Sequence, residues 1–291
     1  CGPSSIIFII SEFVFLWWLI LRYKGRLNKL IIGEFRSWSM HRIRNAVKPT
    51  KVTLVDDGAA TVAVYKKYLS RGVYAPEIPT SKRSIRYFIK KLIFFPFDSG
   101  SVKGEEIETF SAFNLESTEK IACRTNGFEK LRGDLSRKPV DKEKVFYFGS
   151  KYAEKGIISL SFEIRFVINA ARYYQNQRKN FTYIPHRDDS VKKLTMLKNL
   201  GVQVFPLGVP AEVYFANADS LPGEVAGAYS TVLLTAQRLC PNTKVTAFRL
   251  PAAEIADEFF NGVEAIYSQY ASEGLHIVTY QTLFNGEYAI H

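Results

Sequence analysis

Alternation constrains this chain most. Apolar runs of strand length, "KVTLVDDG" (Lys51 to Gly58), "KVFYFGS" (Lys144 to Ser150), "NFTYIPHR" (Asn180 to Arg187) and "TKVTAFRL" (Thr243 to Leu250), are separated by longer amphipathic stretches. Short unbroken apolar runs suit strands covered on both faces, which is the burial that parallel sheets impose. The stretches between them carry helical periodicity. "TVAVYKKYLSRG" closes at Gly72, and "SFEIRFVINAARYYQNQ", "DDSVKKLTMLKNLG" and "AAEIADEFFNGVEAIYSQYA" follow in the second half. Strand and helix in alternation predict an α/β fold with parallel sheets and right-handed crossovers.

The pattern loosens between Val73 and Lys142. "RSIRYFIKKLIFFPF" (Arg83 to Phe97) is basic and amphipathic, and "GSVKGEEIETFSAFN" (Gly100 to Asn114) has loop character. The segment Glu119 to Lys144 is charged and broken by glycines, as suits an inter-domain connection. With 291 residues there is room for two domains. The expected architecture is two Rossmann-like doubly wound domains facing each other across a cleft, residues 1–142 and 143–291, with the last helix and strand free to pack back on the first. "NKLIIGEF" (Asn28 to Phe35) is expected as a strand buried on both faces, and "SMHRIRNAV" as a short basic helix.

"IIFIISEFVFLWWLIL" (Ile6 to Leu21) is followed by the basic "RYKGRLNK", the pattern of a membrane anchor. Its 16 residues fall short of the roughly 20 a span needs, and Glu12 sits near its middle. "CGPSS" before it has the composition of a tight strand-to-helix connection, so the expectation is a buried first helix, with a first strand upstream and an anchor as the alternative. The net charge of +11 asks for an acidic partner: nucleic acid, an anionic membrane or a phosphorylated small molecule. Lys and Arg are spread along the chain without a nucleic-acid-binding motif, which disfavours the first. Cys1, Cys123 and Cys240 show no paired spacing and read as reduced thiols rather than a disulfide framework or zinc site.

In open parallel sheets, ligands sit beyond the carboxyl ends of the strands. Asp56 and Asp57 leave an apolar run just before Gly58, where they suit a general base, a metal ligand, or simply the acidic start of a helix. Pro185 fixes the backbone before His186, and Arg187 follows, while Asp188 and Asp189 can begin the next helix. A histidine there can donate to a phosphate and titrates near neutral pH, or it can be an ordinary loop histidine. Ser230 and Thr231 follow a small-residue turn, where two hydroxyls and free N–H groups can seat a phosphate or merely cap a helix. Glu212, within "PLGVPAEVYF", can accept from ribose hydroxyls or face solvent.

The ordered set "VDDG", "YIPHRDDSVKKLTMLKNLGVQVFPLGVPAEVYF" and "LPGEVAGAYST" resembles bacterial GT-B sialyltransferases, the lipooligosaccharide sialyltransferases and their polysialyltransferase relatives. The match is extensive in the second half and thin in the first, and His186 is followed by Arg187 where many relatives carry proline. The resemblance implies an inverting, metal-independent transfer of sialic acid from CMP-sialic acid to a glycan hydroxyl, with no cofactor. It implies Asp56, or failing that Asp57, as general base and His186 as acid to the CMP phosphate. Donor contacts would come from Pro185, Arg187, Gly208, Glu212, Ser230 and Thr231, with Asp57, Gly58, Ser4 and Ser5 supporting the acceptor side. Another CMP-activated acidic sugar such as Kdo is the alternative donor. A non-catalytic protein associated with membrane or nucleic acid is a more remote alternative. The expected location is the bacterial cytoplasm, peripheral on the inner membrane through Arg83 to Phe95, with a membrane anchor through Ile6 to Leu21 as the alternative.

Overall fold

The computed structural model describes residues 3–56, 60–76, 85–98 and 106–279; the side chains of residues 3–6, 60 and 85–91 lie outside that description. The chain divides into two compact α/β units, Cys1–Asn126 and Gly127–His291.

The first unit holds a four-stranded parallel sheet, ordered β1 (Lys29–Ile32), β2 (Lys51–Val55), β3 (Glu106–Ser111) and β4 (Ala122–Thr125). Val52, Leu54, Ile107 and Ile121 are buried from this sheet, and Phe35, Val64 and Leu69 close over them. Val64 belongs to α3 (Ala60–Lys67), which is followed by a 3-10 turn ending at Gly72, whose φ of 75° suits the residue. A second cluster forms among α1 (Pro3–Tyr23), α2 (Trp38–Val47) and α4 (Ile85–Asp98), through Leu16, Leu19, Val47, Phe94 and Phe97. Arg42 organises it. Its guanidinium lies 3.9 Å from the Phe94 ring centre, takes Asp98 in a two-pronged pair at 2.6 and 3.2 Å, and reaches Glu12 at 3.1 Å. Glu12, the one acid in the apolar run, is thus paired with α2.

The first helix is buried on one face only. Ile7, Phe8, Ile10, Val14, Trp17, Trp18 and Leu21 are exposed, a stripe opposite the packed Leu16 and Leu19. Among the described residues no helix is long and apolar enough to cross a membrane. The strand β1 is likewise not covered on both faces, since Ile31 is 62% exposed.

The second unit carries a six-stranded sheet in the order β10-β9-β8-β5-β6-β7, with every pairing parallel. Its strands are β5 (Val140–Phe148), β6 (Asn180–Ile184), β7 (Gln203–Val204), β8 (Leu221–Gly227), β9 (Lys244–Phe248) and β10 (His276–Val278). The chain runs outward from β5 through β6 and β7, then crosses to β8 and runs outward on the other side. That is the doubly wound order of a dinucleotide-binding fold, with its switch point between β5 and β8. Helices α5 (Glu129–Leu135), α6 (Leu160–Gln175), α7 (Val191–Asn199), α8 (Ala211–Asn217), α9 (Thr231–Leu239) and α10 (Asp257–Ser272) complete it. Tyr147, Tyr174, Tyr183, Phe146, Phe162 and Phe166 are fully buried, so this core is built on aromatic rings.

Several sequence expectations give way here. The supposed connection from Glu119 to Lys144 contains β4, α5 and the start of β5. A boundary at 142 would cut β5, whereas the units divide at Asn126. The loop-like Gly100 to Asn114 contains β3, an interior strand whose polar Glu108 and Thr109 masked its burial. The last helix and strand stay with the second unit: β10 pairs with β9, and Tyr270 of α10 bonds Ser230. Strand β8 was hidden by Pro222 and Gly223. A Cβ on Gly223 would stand 2.7 Å from the backbone of Asp141 and Lys142, so glycine is required by the approach of β5.

Glu108 ties the first sheet together. It lies 3.4 Å from Lys29 on β1, 2.8 Å from Lys51 on β2, and accepts from Thr53 at 2.7 Å. Burial pushes this carboxyl up, but Lys51, Thr53 and Lys29 more than offset that and hold it at about 2, against an ordinary value of 4.5. A depressed carboxyl contributes stability that is present above its unfolded value and is lost as pH falls through its folded one. Wild-type chain is therefore expected to lose stability from about pH 4.5 down to about 2, and Glu108→Gln to lose less over that window. Urea unfolding followed at several pH values checks this; parallel acid limbs for the two proteins would refute it.

Candidate donor-binding site

In the second unit, parallel pairing brings the carboxyl ends of β6, β5 and β8 side by side, with Phe148 opposite Ile184 on one side and Gly227 on the other. The backbones are close: a Cβ on Gly227 would stand 2.8 Å from the Phe148 carbonyl oxygen. One on Gly149 would meet the Tyr183 hydroxyl at 1.9 Å. Small residues at these two strand ends keep the mouth of the switch point narrow.

His186 leaves β6 after the half-buried Pro185. Its backbone N–H donates to Asp189 Oδ2 at 3.0 Å, and its carbonyl accepts from the Asp189 N–H at 2.9 Å, so the loop closes on itself. The Asp188 N–H donates to His186 Nδ1 at 3.1 Å. Because Nδ1 accepts, the neutral ring carries its proton on Nε2, which is then the available donor. Desolvation lowers the His186 pKa first; Asp188 opposes this, and Lys151, 2.7 Å from Asp188, adds to it. Asp188 and Asp189 do not start the next helix. Ser190 caps α7, accepting from the Lys193 N–H at 3.3 Å. Arg187 is exposed and makes no hydrogen bond or ion pair among the described residues.

Ser230 caps α9, accepting from the Val232 N–H at 3.3 Å. The Tyr270 hydroxyl grips the same residue from behind, accepting from its N–H at 2.8 Å and donating to its carbonyl at 2.7 Å. The half-buried Thr231 hydroxyl has no partner among the described residues. The N-terminal turn of α9 thus follows the carboxyl end of β8, at the same edge of the sheet at which His186 leaves β6, and a helix N-terminus carries a positive dipole end. The switch point supplies an imidazole donor, a helix N-terminus and two hydroxyls, with Lys151 and Arg187 as nearby cations. That set suits a phosphate.

The other predicted residues are placed less closely. Glu212 lies in the first turn of α8 and makes no hydrogen bond to the His186 loop or the Ser230 turn among the described residues. Its charge reaches Cys240, the residue closing α9, where burial first and Glu212 second push the thiol up to about 12. Gly208 sits in the loop before α8 with φ of 71°. In the first unit, Asp56 follows β2 and is bound at the end of the neighbouring strand: Ser111 Oγ donates to Oδ1 and the Ala112 N–H to Oδ2, both at 2.5 Å. Asp57 and Gly58 lie outside the described residues, as do the side chains of Ser4 and Ser5. Lys151, Tyr152 and Tyr270 were missed from sequence. Lys151 follows Gly149-Ser150 at a strand end, a signal that was available; Tyr270 comes from a helix far along the chain, and nothing local marks it.

The family model described as alpha-2,8-polysialyltransferase matches residues 30–249, a span that runs from β1 past β9 and takes in Asp56, His186, Glu212, Ser230 and Thr231. No curated protein matches the chain.

A histidine titration tests the electrostatics. The His186 midpoint, followed by NMR, is expected below the ordinary 6.5, and Lys151→Ala is expected to raise it by removing a cation and releasing Asp188. An unchanged or lower midpoint in the variant would show that Lys151 does not act on this ring.

Proposed function

The chain belongs to the alpha-2,8-polysialyltransferase family, a family of sialyltransferases, and from that premise we propose that it transfers sialic acid from CMP-sialic acid to a hydroxyl of a galactose-terminated or sialylated glycan, with inversion and without a metal. The observation that supports the reading is that the His186 loop and the Ser230–Thr231 helix start follow β6 and β8 at the same edge of the sheet, on either side of β5 and inside the span the family model matches.

In this reading the α9 N-terminus and the hydroxyls of Ser230 and Thr231 receive the CMP phosphate. His186 enters its reactive state as imidazolium, because a bound phosphate raises a pKa that burial has lowered. As the bond between the sugar's anomeric carbon and the phosphate oxygen breaks, Nε2 gives its proton to that oxygen and CMP leaves as a monophosphate. Arg187 and Lys151 add positive charge beside the departing group, which supports transfer without a metal. Glu212 is proposed for the ribose hydroxyls.

The acceptor hydroxyl must lose a proton to a carboxylate of the acid pair. Asp56 already accepts a hydrogen bond at each oxygen beside the end of β3, so the base role goes to Asp57. The first unit then serves the acceptor and the second the donor. Peripheral contact with an anionic membrane is supported by the exposed stripe of α1 and by Arg22, Lys24 and Arg26, exposed just beyond it.

The test is CMP release from CMP-sialic acid, with EDTA present, against a panel of galactosides and sialosides. Wild type is expected to release CMP in an acceptor-dependent manner. His186→Ala is expected to lower kcat by about 10²–10⁴-fold, and Asp57→Asn by a similar factor with unchanged thermal stability. If Asp56→Asn instead shows that pattern, the base assignment is reversed. If CMP-sialic acid is untouched while CMP-Kdo turns over, the donor is the other acidic sugar.

A further inference from the structure

Lys193 is a lysine in the first turn of α7, and its side chain has no exposure to solvent. An ammonium group can be buried this way only if opposite charges surround it. Glu163 lies at 2.6 Å, Asp189 at 2.8 Å and Glu154 at 3.2 Å. Its three donors go to Glu163, Glu154 and the Ser150 carbonyl, the last at 2.9 Å, and Asp189 Oδ1 faces it as an ion pair. Asp189 is the residue that closes the His186 loop, and Ser150 lies in the loop after β5. Lys193 therefore joins the loops at the ends of two adjacent strands.

The loop after β5 makes a second tie, on its other side. The Tyr152 hydroxyl donates to the Tyr229 carbonyl at 2.5 Å and accepts from the Tyr229 N–H at 2.9 Å. Tyr229 immediately precedes the Ser230 cap. The rings of Tyr152 and Tyr229 are in contact at 4.7 Å between centres, and both residues are buried.

We propose that Lys193 and Tyr152 are positioning residues that use the loop after β5 as a spacer, Lys193 fixing the His186 loop to it and Tyr152 fixing the Ser230 turn. This deepens the donor-site reading and rests on it. Lys193 touches neither donor nor reacting atoms; it orients Asp189, and through it the backbone of His186. Tyr152 occupies both hydrogen-bonding groups of Tyr229, so the start of α9 cannot shift along the sheet without leaving them unpaired in a buried site. Glu163 supports the geometry from below: burial pushes its carboxyl up to about 7, with Lys193 opposing, and its other oxygen accepts from the Ala153 N–H at 2.9 Å.

The two ties predict different losses. In the full chain, Lys193→Met is expected to move the His186 titration midpoint and to lower kcat about 30-fold. Its affinity for CMP, read by calorimetry, should change less than about threefold, because the α9 seat is untouched. Tyr152→Phe is expected to weaken CMP binding about tenfold while leaving the His186 midpoint in place. Asp189→Asn is isosteric and leaves Lys193 paired with Glu163. It serves as a second variant should Lys193→Met fail to fold, with a lowered His186 midpoint and a reduced kcat expected. Folded variants that leave all three readouts unchanged, or that lower kcat and CMP affinity together with no split between the ties, would overturn the proposal. A wild-type chain that binds no CMP would sink the donor reading instead. The His186 titration needs no ligand and would still test the Lys193 tie.

Discussion

A positive charge sealed from water sets the terms for the second unit. Burying the Lys193 ammonium costs several kcal/mol unless carboxylates and carbonyls replace its hydration. Meeting that need draws Glu163 from α6, Asp189 and Glu154 from two loops, and the Ser150 carbonyl to one point. Burial first, with Glu154 adding a little, pushes Glu163 up to about 7 against the pull of Lys193, while for Lys193 burial is outweighed by Glu163 and Asp189, which hold it above its ordinary value. The cluster adds little net stability compared with an apolar core. What it contributes is direction: the partners come from the loop after β5, from α6 and from the His186 loop, so none of these three segments can drift without stranding a charge.

The first unit answers a similar problem with different geometry. Arg42 gathers Glu12, Asp98 and the Phe94 ring, and so joins α1, α2 and α4. The guanidinium suits this role because it can pair in its plane and stack on its face at once. Glu12 made the apolar run of α1 awkward as a membrane span, and its partner explains its presence. One helix thus serves two environments, with aliphatic and aromatic side chains on the stripe that packs and on the stripe that does not.

How far the sequence could be read depended on which force shaped each part. Strands β2, β5, β6 and β9 were legible because sheet cores on both faces demand unbroken apolar runs. Strand β3 was not, since Glu108 and Thr109 are buried through ion pairing and hydrogen bonding rather than by apolar character. Strand β8 carries proline and glycine because β5 approaches its backbone, a constraint that lives in another part of the chain. The candidate site divided in the same way. His186, Ser230 and Thr231 could be found from strand ends and helix starts, while Tyr152 and Tyr270 act across separations of 40 residues or more, and Lys193, only four residues from Asp189, is held by Ser150 and Glu163 far along the chain. Nothing in a local window distinguishes a lysine bound for the interior from one bound for solvent.

Among the described residues, the second sheet takes its six strands from the chain after Gly127, in a doubly wound order of its own. That completeness has an evolutionary side. A half that closes its own hydrogen bonds can be inherited as a module, recombined whole, and paired with a different first half without redesign of its interior. Variation in the first unit's loops is then free to proceed while the second unit is kept by its own packing. Diversification by exchange of one half is a short path for such an architecture.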